Sequence, residues 1–556
     1  MISVLSLSNM SKQSSNIWLP ALFALTLAAG LFIGFRLQSK APLVISSGGQ
    51  EGAPGHGRVD ELLRYIDAKY VDDANQERLH EAAIHAVLDE LDPHSSYIPA
   101  DELQALTEQM EGNFEGIGIE FLVIEDTITV VSALPGGPSE AAGLRAGDQI
   151  IMVEDSVVTG VNEFGIDPAS LMRGISGTDV SITVRRPGEA ELQGYTLTRA
   201  PIPVYSVDAA YQLDDQTAYV KINRFSATTY DEFVMALEEQ MEKGGATRLV
   251  IDLRDNPGGY LQQATKMLSQ LFLEKGKLLV YTQGRNSRRV DYTTNGRAFY
   301  RIQEVAVLVN ESSASASEIV AGAVQDHDRG IVVGRRTFGK GLVQEQYPLS
   351  DGSALRLTVA RYYTPSGRSI QRSYEDGEDE YRSDIGRRYD SGELTGQSEA
   401  AVDSSLTYFT DNGYPVYGGG GITPDFFVPL DTTLNNTSFL RLRQQISPYV
   451  FKYQRKHPEL ANYENLAAFM AGFRPNLEEI IPDLTAMALA TYDEPLEDIP
   501  AKLRPELSRY FSARLARILF GASAFYEVLN QDDEMILETL RLLNRPDPLA
   551  AAREED

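Results

Sequence analysis

Apolar residues recur along this chain in several rhythms, and each predicts a different kind of element. Residues 17–35 are a nineteen-residue stretch without a charge, which as a helix spans about 28 Å and reaches across a bilayer. Over residues 58–90 the apolar positions Val59, Leu62, Leu63 and Ile66, then Leu79, Ala83, Ala86 and Val87, fall at helical spacing. From residue 114 to about 199 the pattern changes to short strands separated by glycine turns. Residues 204–361 alternate strand-like and helix-like segments, which predicts a mixed α/β domain. After Pro429 helix-like segments return at 439–455, 464–473, 505–519 and 534–543, with both signs of charge on their polar faces, as on a solvated surface.

These boundaries divide the chain into an N-terminal flank (1–16), a transmembrane anchor or uncleaved signal (17–35), a Gly/Pro-rich tether (36–57), a helical region (58–112) and a small β domain (113–200). A mixed α/β domain follows (201–371), then an acidic Tyr/Ser/Gly-rich insertion (372–417), a short segment (418–430) and a helical extension (431–556). The fold class is therefore multidomain α/β with helical segments at both ends. The 17–35 run is too long for a signal-peptide core alone, and Lys12 before it with Arg36 and Lys40 after it leave its orientation open. An uncleaved anchor is the favoured reading. The insertion reads as a surface loop, with a substrate-contacting flap as the alternative. The helical extension reads as accessory.

Composition narrows the function. A formal charge of −29 repels phosphate backbones, and no Lys/Arg-rich stripe interrupts it, so nucleic acid is not an expected partner. There is no cysteine, so packing alone holds the chain together, and no His-x-x-x-His or His-Glu-x-x-His spacing points to a metal. No cofactor is called for.

Two short segments carry candidate chemistry. Ser315 lies in Ser313-Ala314-Ser315-Ala316-Ser317-Glu318, between the strand-like Val305–Val309 and a helix-like stretch over 319–325. A serine at a helix start sits beside unpartnered N–H groups that stabilise a negative oxygen, although Ser-x-x-Glu also fits a capping box. Lys340 lies in Thr337-Phe338-Gly339-Lys340-Gly341. Gly334 to Lys340 match seven positions of a phosphate-binding P-loop, but Gly341 replaces the Ser/Thr hydroxyl and a strand-like segment follows where a helix is needed. A third segment, Leu249-Val250-Ile251-Asp252-Leu253, reads as a buried strand that ends in Arg254-Asp255-Asn256-Pro257-Gly258-Gly259, a turn that exposes amides.

Taken together, 252–259, 313–318 and 337–344 resemble the signature of the carboxyl-terminal processing, or tail-specific, proteases. The resemblance spans about residues 59–429 and includes Tyr363 to Gln371, the delayed Gly420-Gly421-Ile422-Thr423-Pro424-Asp425, and the segment Leu91 to Tyr97 around His94, which reads as structural. It implies a serine endopeptidase with Ser315 as nucleophile, Lys340 as general base, Gln344 orienting the lysine, and the amides of Gly258 and Ala316 as the oxyanion hole. A lysine at its ordinary pKa of about 10.4 is no base at neutral pH, so Lys340 must be buried. The rival Ser-His-Asp mechanism would need His327, which twelve residues of helix carry roughly 18 Å from Ser315; it reads as a surface histidine.

Gly116-Ile117-Gly118-Ile119 with Ala142-Gly143-Leu144-Arg145-Ala146-Gly147-Asp148 resembles a PDZ domain. Such domains bind a peptide C-terminus at a sheet edge, with loop amides on the carboxylate. No Arg or Lys stands just before Gly116, so carboxylate contact would rest on backbone amides. The expected partners are proteins or peptides with free C-termini, the membrane through 17–35, and an adaptor or a second copy of the chain; the expected place is a bacterial periplasm. The different-class alternative is a catalytically silent scaffold that only binds tails.

Overall fold

A computed structural model describes residues 57–554, so the expected anchor and most of the tether lie outside the described residues. Among the described residues no helix is long and apolar enough to cross a membrane. They divide into two compact units, one of residues 57–86 with Leu349–Gly352, the other of Val87–Pro348 and the chain from Ser353 onward. In the first unit the predicted helical stretch is broken, with a helix over Arg58–Lys69 and the start of a second, Gln76–Asp89. Of the periodic apolar positions on the first helix, Leu63 is buried while Val59 and Leu62 are exposed.

Within the second unit the small β domain is an antiparallel sheet in the order Ile119–Ile124, Thr127–Ala133, Gln149–Val153, Asp179–Arg185, Gln193–Thr198. Alternation along Asp179–Arg185 explains the core: Val180, Ile182 and Val184 point inward with Ile128, Val130, Ile150 and Leu197, and polar residues face out. Asp148, from the Ala-Gly-Asp turn, is buried; it accepts from the Arg145 N–H (2.9 Å) and from Arg186 Nε (2.8 Å) and Nη2 (2.7 Å). The chain enters and leaves this domain through a paired ribbon, Asn113–Gly116 against Ala200–Pro203.

The α/β core is built on a six-stranded sheet ordered β1 (Val207–Asp214), β2 (Thr217–Ile222), β3 (Arg248–Asp252), β4 (Glu304–Val309), β5 (Ile331–Gly334), β6 (Phe426–Phe427), parallel from β2 onward. Parallel strands buried on both faces read as unbroken apolar runs. Accordingly Leu249, Ile251, Val305 and Val307 pack on one face under helix α1 (Ala316–Asp326) and the helices Thr229–Leu237 and Leu261–Leu268. Val250, Ala306, Leu308 and Val333 pack on the other. That second face is covered by α2 (Glu534–Leu543) and α3 (Pro548–Glu554), through Met535, Ile536, Leu542, Leu543 and Ala552. The accessory reading of the extension therefore needs correction: 437–529 form a helical cluster with its own core, but α2 and α3 are the missing layer of the central sheet. Burying side chains of that size contributes roughly 1.5–3 kcal/mol each.

A second sheet, centred on Ala354–Tyr363, pairs with Ser96–Ile98, Lys275–Gln283 and Leu342–Pro348. The insertion is also not a solvated loop. It folds into helices Glu378–Arg382 and Asp384–Asp390 and a hairpin of Thr407–Phe409 with Pro415–Tyr417. It buries Tyr381, Arg388, Glu393 and Leu394.

Candidate active site

The strand β4 ends in the Asn310–Ser313 turn, which delivers Ser315 to the start of α1. The helix itself is buried throughout, and Ser315 before it is partly accessible. Ser315 has φ 55° and ψ −112°, in the region that L residues avoid, a strain of roughly 1–3 kcal/mol that surrounding bonds must hold. Those bonds are present. Ser313 Oγ donates to the Leu253 carbonyl (2.8 Å), the Ala314 N–H to the Asn256 carbonyl (3.0 Å), and Ser317 Oγ to the same carbonyl (3.0 Å). Ala316 opens the helix, where an N–H has no intrahelical partner.

Gly258 presses on this serine. A Cβ at Gly258 would lie 2.7 Å from Ser315 Cβ, 2.8 Å from the Ala314 carbonyl and 2.9 Å from the Ala316 nitrogen, and its φ is +99°, so only glycine fits. Its N–H donates to the buried Asn256 side chain (Oδ1, 2.8 Å), whose amide in turn donates to the Ile222 carbonyl (3.0 Å). The turn brings Gly258 beside Ala316, with its amide held by Asn256.

Lys340 is joined to Ser315 by two buried side chains: Glu318, which motif reading alone treats as a helix cap, and Tyr362, which the sequence did not single out. The Glu318 carboxylate accepts from the N–H groups of Ser315 (2.8 Å) and Lys340 (2.8 Å) at Oε2, and from the Gly339 N–H (2.7 Å) and Thr337 Oγ1 (2.6 Å) at Oε1. The Tyr362 hydroxyl bridges the Ser315 carbonyl (3.0 Å) and the Lys340 carbonyl. Lys340 Nζ donates to Gln344 Oε1 (3.0 Å), and the Gln344 amide donates to the His94 carbonyl. Burial pushes the Lys340 pKa down, helped by Arg356 and opposed by Glu318 and Asp92. Burial pushes Glu318 up to about 7, against the four donors that favour its charge.

His94 holds the lysine's support. Its segment is pinned to the second sheet by Asp92, which accepts from the His94 and Ser95 N–H groups (both 2.9 Å) and from Thr358 Oγ1 (3.0 Å). Its ring, with a pKa lowered by burial and by Lys340 to about 4, meets the Tyr381 hydroxyl of the insertion at 2.7 Å. His327 corrects the surface reading: its side chain is 7% exposed, it lies at the far end of α1 from Ser315, and it contacts Asp411 Oδ2 (2.9 Å) and the Leu278 carbonyl (2.6 Å).

The backbones of Ser315, Ala316, Gly258 and Lys340 thus meet in one place, with Gln344 on the Lys340 amine. Away from this place, Gly116 ends the entry ribbon of the small β domain, Ile117 and Gly118 form a short loop, and Ile119 opens the edge strand; the Ile117 carbonyl accepts from Ser139 N–H (3.1 Å) and Oγ (2.6 Å) and the Gly118 carbonyl from Leu134 N–H (2.9 Å). Among the described residues no group of His, Cys, Asp and Glu is arranged to hold a metal ion.

Residues 216–377 match peptidase family S41, and residues 116–193 match the PDZ domain. A carboxy-terminal-processing protease of Bartonella bacilliformis is 36% identical over 349 residues, 62% of this chain and 79% of that protein. The carboxy-terminal processing protease CtpB of Bacillus subtilis is 33% identical over 357 residues, 62% of this chain and 72% of its own. A carboxyl-terminal-processing protease of Picosynechococcus sp. is 37% identical over 297 residues, 52% and 68% respectively. With these relatives spanned over most of their length, the chain belongs to the carboxy-terminal processing proteases, serine-type peptidases of family S41 that carry a PDZ domain.

Proposed function

We propose that this peptidase cleaves proteins or peptides near their C-termini with a Ser315–Lys340 dyad, and that its PDZ domain binds the substrate tail. Neutral Lys340 takes the proton of Ser315 Oγ as that oxygen attacks the scissile carbonyl. The negative oxygen of the tetrahedral intermediate is met by the Ala316 N–H at the head of α1, and by the Gly258 N–H once it leaves Asn256 for the stronger acceptor. Lys340 then returns the proton to the leaving amine, and water hydrolyses the ester on Ser315 by the same steps in reverse order of roles. Gln344 holds the amine in line. The observation that carries this reading is the double clasp of Glu318 and Tyr362, which binds the backbone of the serine to that of the lysine while Gly258 closes on both Ser315 and Ala316.

The tail would add to the edge strand Ile119–Ile124, with its carboxylate on the amides of the 116–119 loop. An anchor at 17–35 would place this work outside the cytoplasm, so the full chain should partition with bacterial membranes and lose that partition when 1–57 are removed. For the chemistry, Ser315→Ala should abolish peptide cleavage while changing stability by at most about 0.5–2 kcal/mol. Turnover near that of the parent enzyme would end the serine assignment.

A further inference from the structure

The turn that brings Gly258 to Ser315 begins at Arg254, and Arg254 is held partly from outside the peptidase core. Its Nε and Nη2 bind Asp252 at the end of β3 (3.0 Å and 2.6 Å, to Oδ2), its N–H binds Asp252 Oδ1 (2.9 Å), and its carbonyl accepts from Lys221 Nζ. The remaining guanidinium nitrogen, Nη1, reaches Asp533 Oδ2 at 2.7 Å. Asp533 belongs to the helical extension, beyond the 216–377 matched to the peptidase family. It caps α2 through its other oxygen, accepting from the Ile536 N–H (3.0 Å).

The same corner of the extension makes further contacts with this buried cluster. Asn530 donates to the Tyr211 hydroxyl (2.8 Å), Tyr211 packs on Tyr219 (5.0 Å between centroids), and the Tyr219 hydroxyl donates to Asp252 Oδ2 (2.7 Å). Lys221 also pairs with Asp252 (3.2 Å). Two cations, Lys221 and Arg254, therefore face two carboxylates, Asp252 and Asp533. Without Asp533 the two cations would share one carboxylate, and the partly buried Arg254 guanidinium at the root of the turn would lose its second anchor.

Beyond Arg254 the turn is built by bonds that pass the constraint forward. The Asp255 N–H donates to Asn310 Oδ1 (2.9 Å), Asn310 Nδ2 returns a bond to Asp255 Oδ1 (2.8 Å), and Asn256 then holds the Gly258 N–H. The turn lies so close to the serine that a Cβ at Gly258 would strike Ser315 and Ala316.

We infer that Asp533 of the helical extension is a positioning residue for peptide cleavage, acting through Arg254 to fix the turn that carries the Gly258 amide. The extension is then part of the catalytic apparatus as well as the second cover of the central sheet. This rests on the proposed roles of Ser315 and Gly258, and the experiment separates the two.

In the full chain, Asp533→Asn removes the charge and keeps the shape. With turn and nucleophile misaligned, kcat for a peptide substrate should fall by roughly tenfold to a hundredfold. The same substrate should bind with unchanged Kd when Asp533→Asn is placed on the Ser315→Ala background. Affinity for a peptide boronate, whose tetrahedral adduct uses the oxyanion site, should fall in step with kcat. The double variant Arg254→Gln/Asp533→Asn leaves Lys221 and Asp252 as a neutral pair; it should fold if Asp533→Asn does not, and remain slow. Three results would overturn the inference: kcat of folded Asp533→Asn within twofold of the parent, boronate affinity unchanged despite lost turnover, or parental kcat in the double variant. Cleavage surviving Ser315→Ala would overturn the dyad reading and this inference with it, whereas an inactive Ser315→Ala beside a fully active Asp533→Asn removes the inference alone.

Discussion

Glu318 shows how much a single carboxylate can organise, and it carries a prediction with two opposite pH slopes. Its raised pKa means that the folded protein keeps a proton there which the unfolded chain releases above about 4.5. Glu318 therefore contributes stability that is fully present below pH 4.5 and lost as pH rises through about 7. Activity should run the other way, because the clasp on Ser315 and Lys340 needs an ionised acceptor and Lys340 must be neutral to act. Parallel denaturation and rate measurements between pH 6.5 and 8, above the range in which the lowered His94 pKa adds an opposite slope, should show stability falling while kcat/KM rises. Glu318→Gln should flatten the stability slope and cost about 1.5–3 kcal/mol, since an amide NH2 would face donors where a charged acceptor stood. The turns that carry Ser315 and Lys340 were legible in sequence because glycines and small residues mark them locally, while the roles proposed for the two residues come from the family resemblance. Glu318 was visible there only as a possible helix cap, because its other donors come from Thr337, Gly339 and Lys340, which meet it only after folding.

Among the elements, the insertion departs most from its sequence reading. Its acidic, Tyr/Ser/Gly-rich composition suggests a solvated loop, yet Arg388, 3% exposed, donates to the carbonyls of Arg336 (3.2 Å) and Thr337 (2.9 Å) and pairs with Asp384 (2.8 Å). Glu393 pairs with Arg336 from the strand side, at 2.8 Å to both Nε and Nη2. Arg372 stacks between the rings of Phe338 and Tyr381 at 4.0 and 3.9 Å. Apart from the i, i+4 pair of Asp384 with Arg388, the partners of Arg388 and Glu393 in the core, Arg336 and Thr337, are distant in sequence and follow no period, which is why no hydropathy pattern exposes them. They brace the segment that ends in Lys340 from behind. Arg388→Ala should therefore cost about 3–5 kcal/mol, the range for breaking a buried ion pair, and should lower turnover and the unfolding midpoint together in a thermal melt. An unchanged midpoint would return the insertion to the status of a surface loop.

At the scale of the whole molecule, the order of domains was legible because each has its own hydrophobic rhythm: alternating in the PDZ strands, continuous in β3 and β4, helical after Pro429. What the rhythm could not distinguish is a helix of an independent bundle from one that covers a sheet, since both bury a single apolar stripe; α2 and α3 belong to the second kind. A similar coupling is expected between PDZ domain and peptidase. If the loop at 116–119 reads the tail, a peptide substrate with a free C-terminal carboxylate should have a higher kcat/KM than its amide, and deletion of residues 114–199 should erase the difference. Equal rates for acid and amide in the intact enzyme would assign specificity to the cleft beside Ser315 instead.

The central claim is that Lys340 works as a base within a Ser–Lys dyad, and its most direct test compares Lys340→Arg with Lys340→Ala. Arginine keeps the positive charge but does not give up its proton in a protein. The account predicts that full-length Lys340→Arg, folded and still able to bind substrate, is as inactive in peptide cleavage as Lys340→Ala. Substantial cleavage by Lys340→Arg would contradict it, by showing that charge at this position is enough.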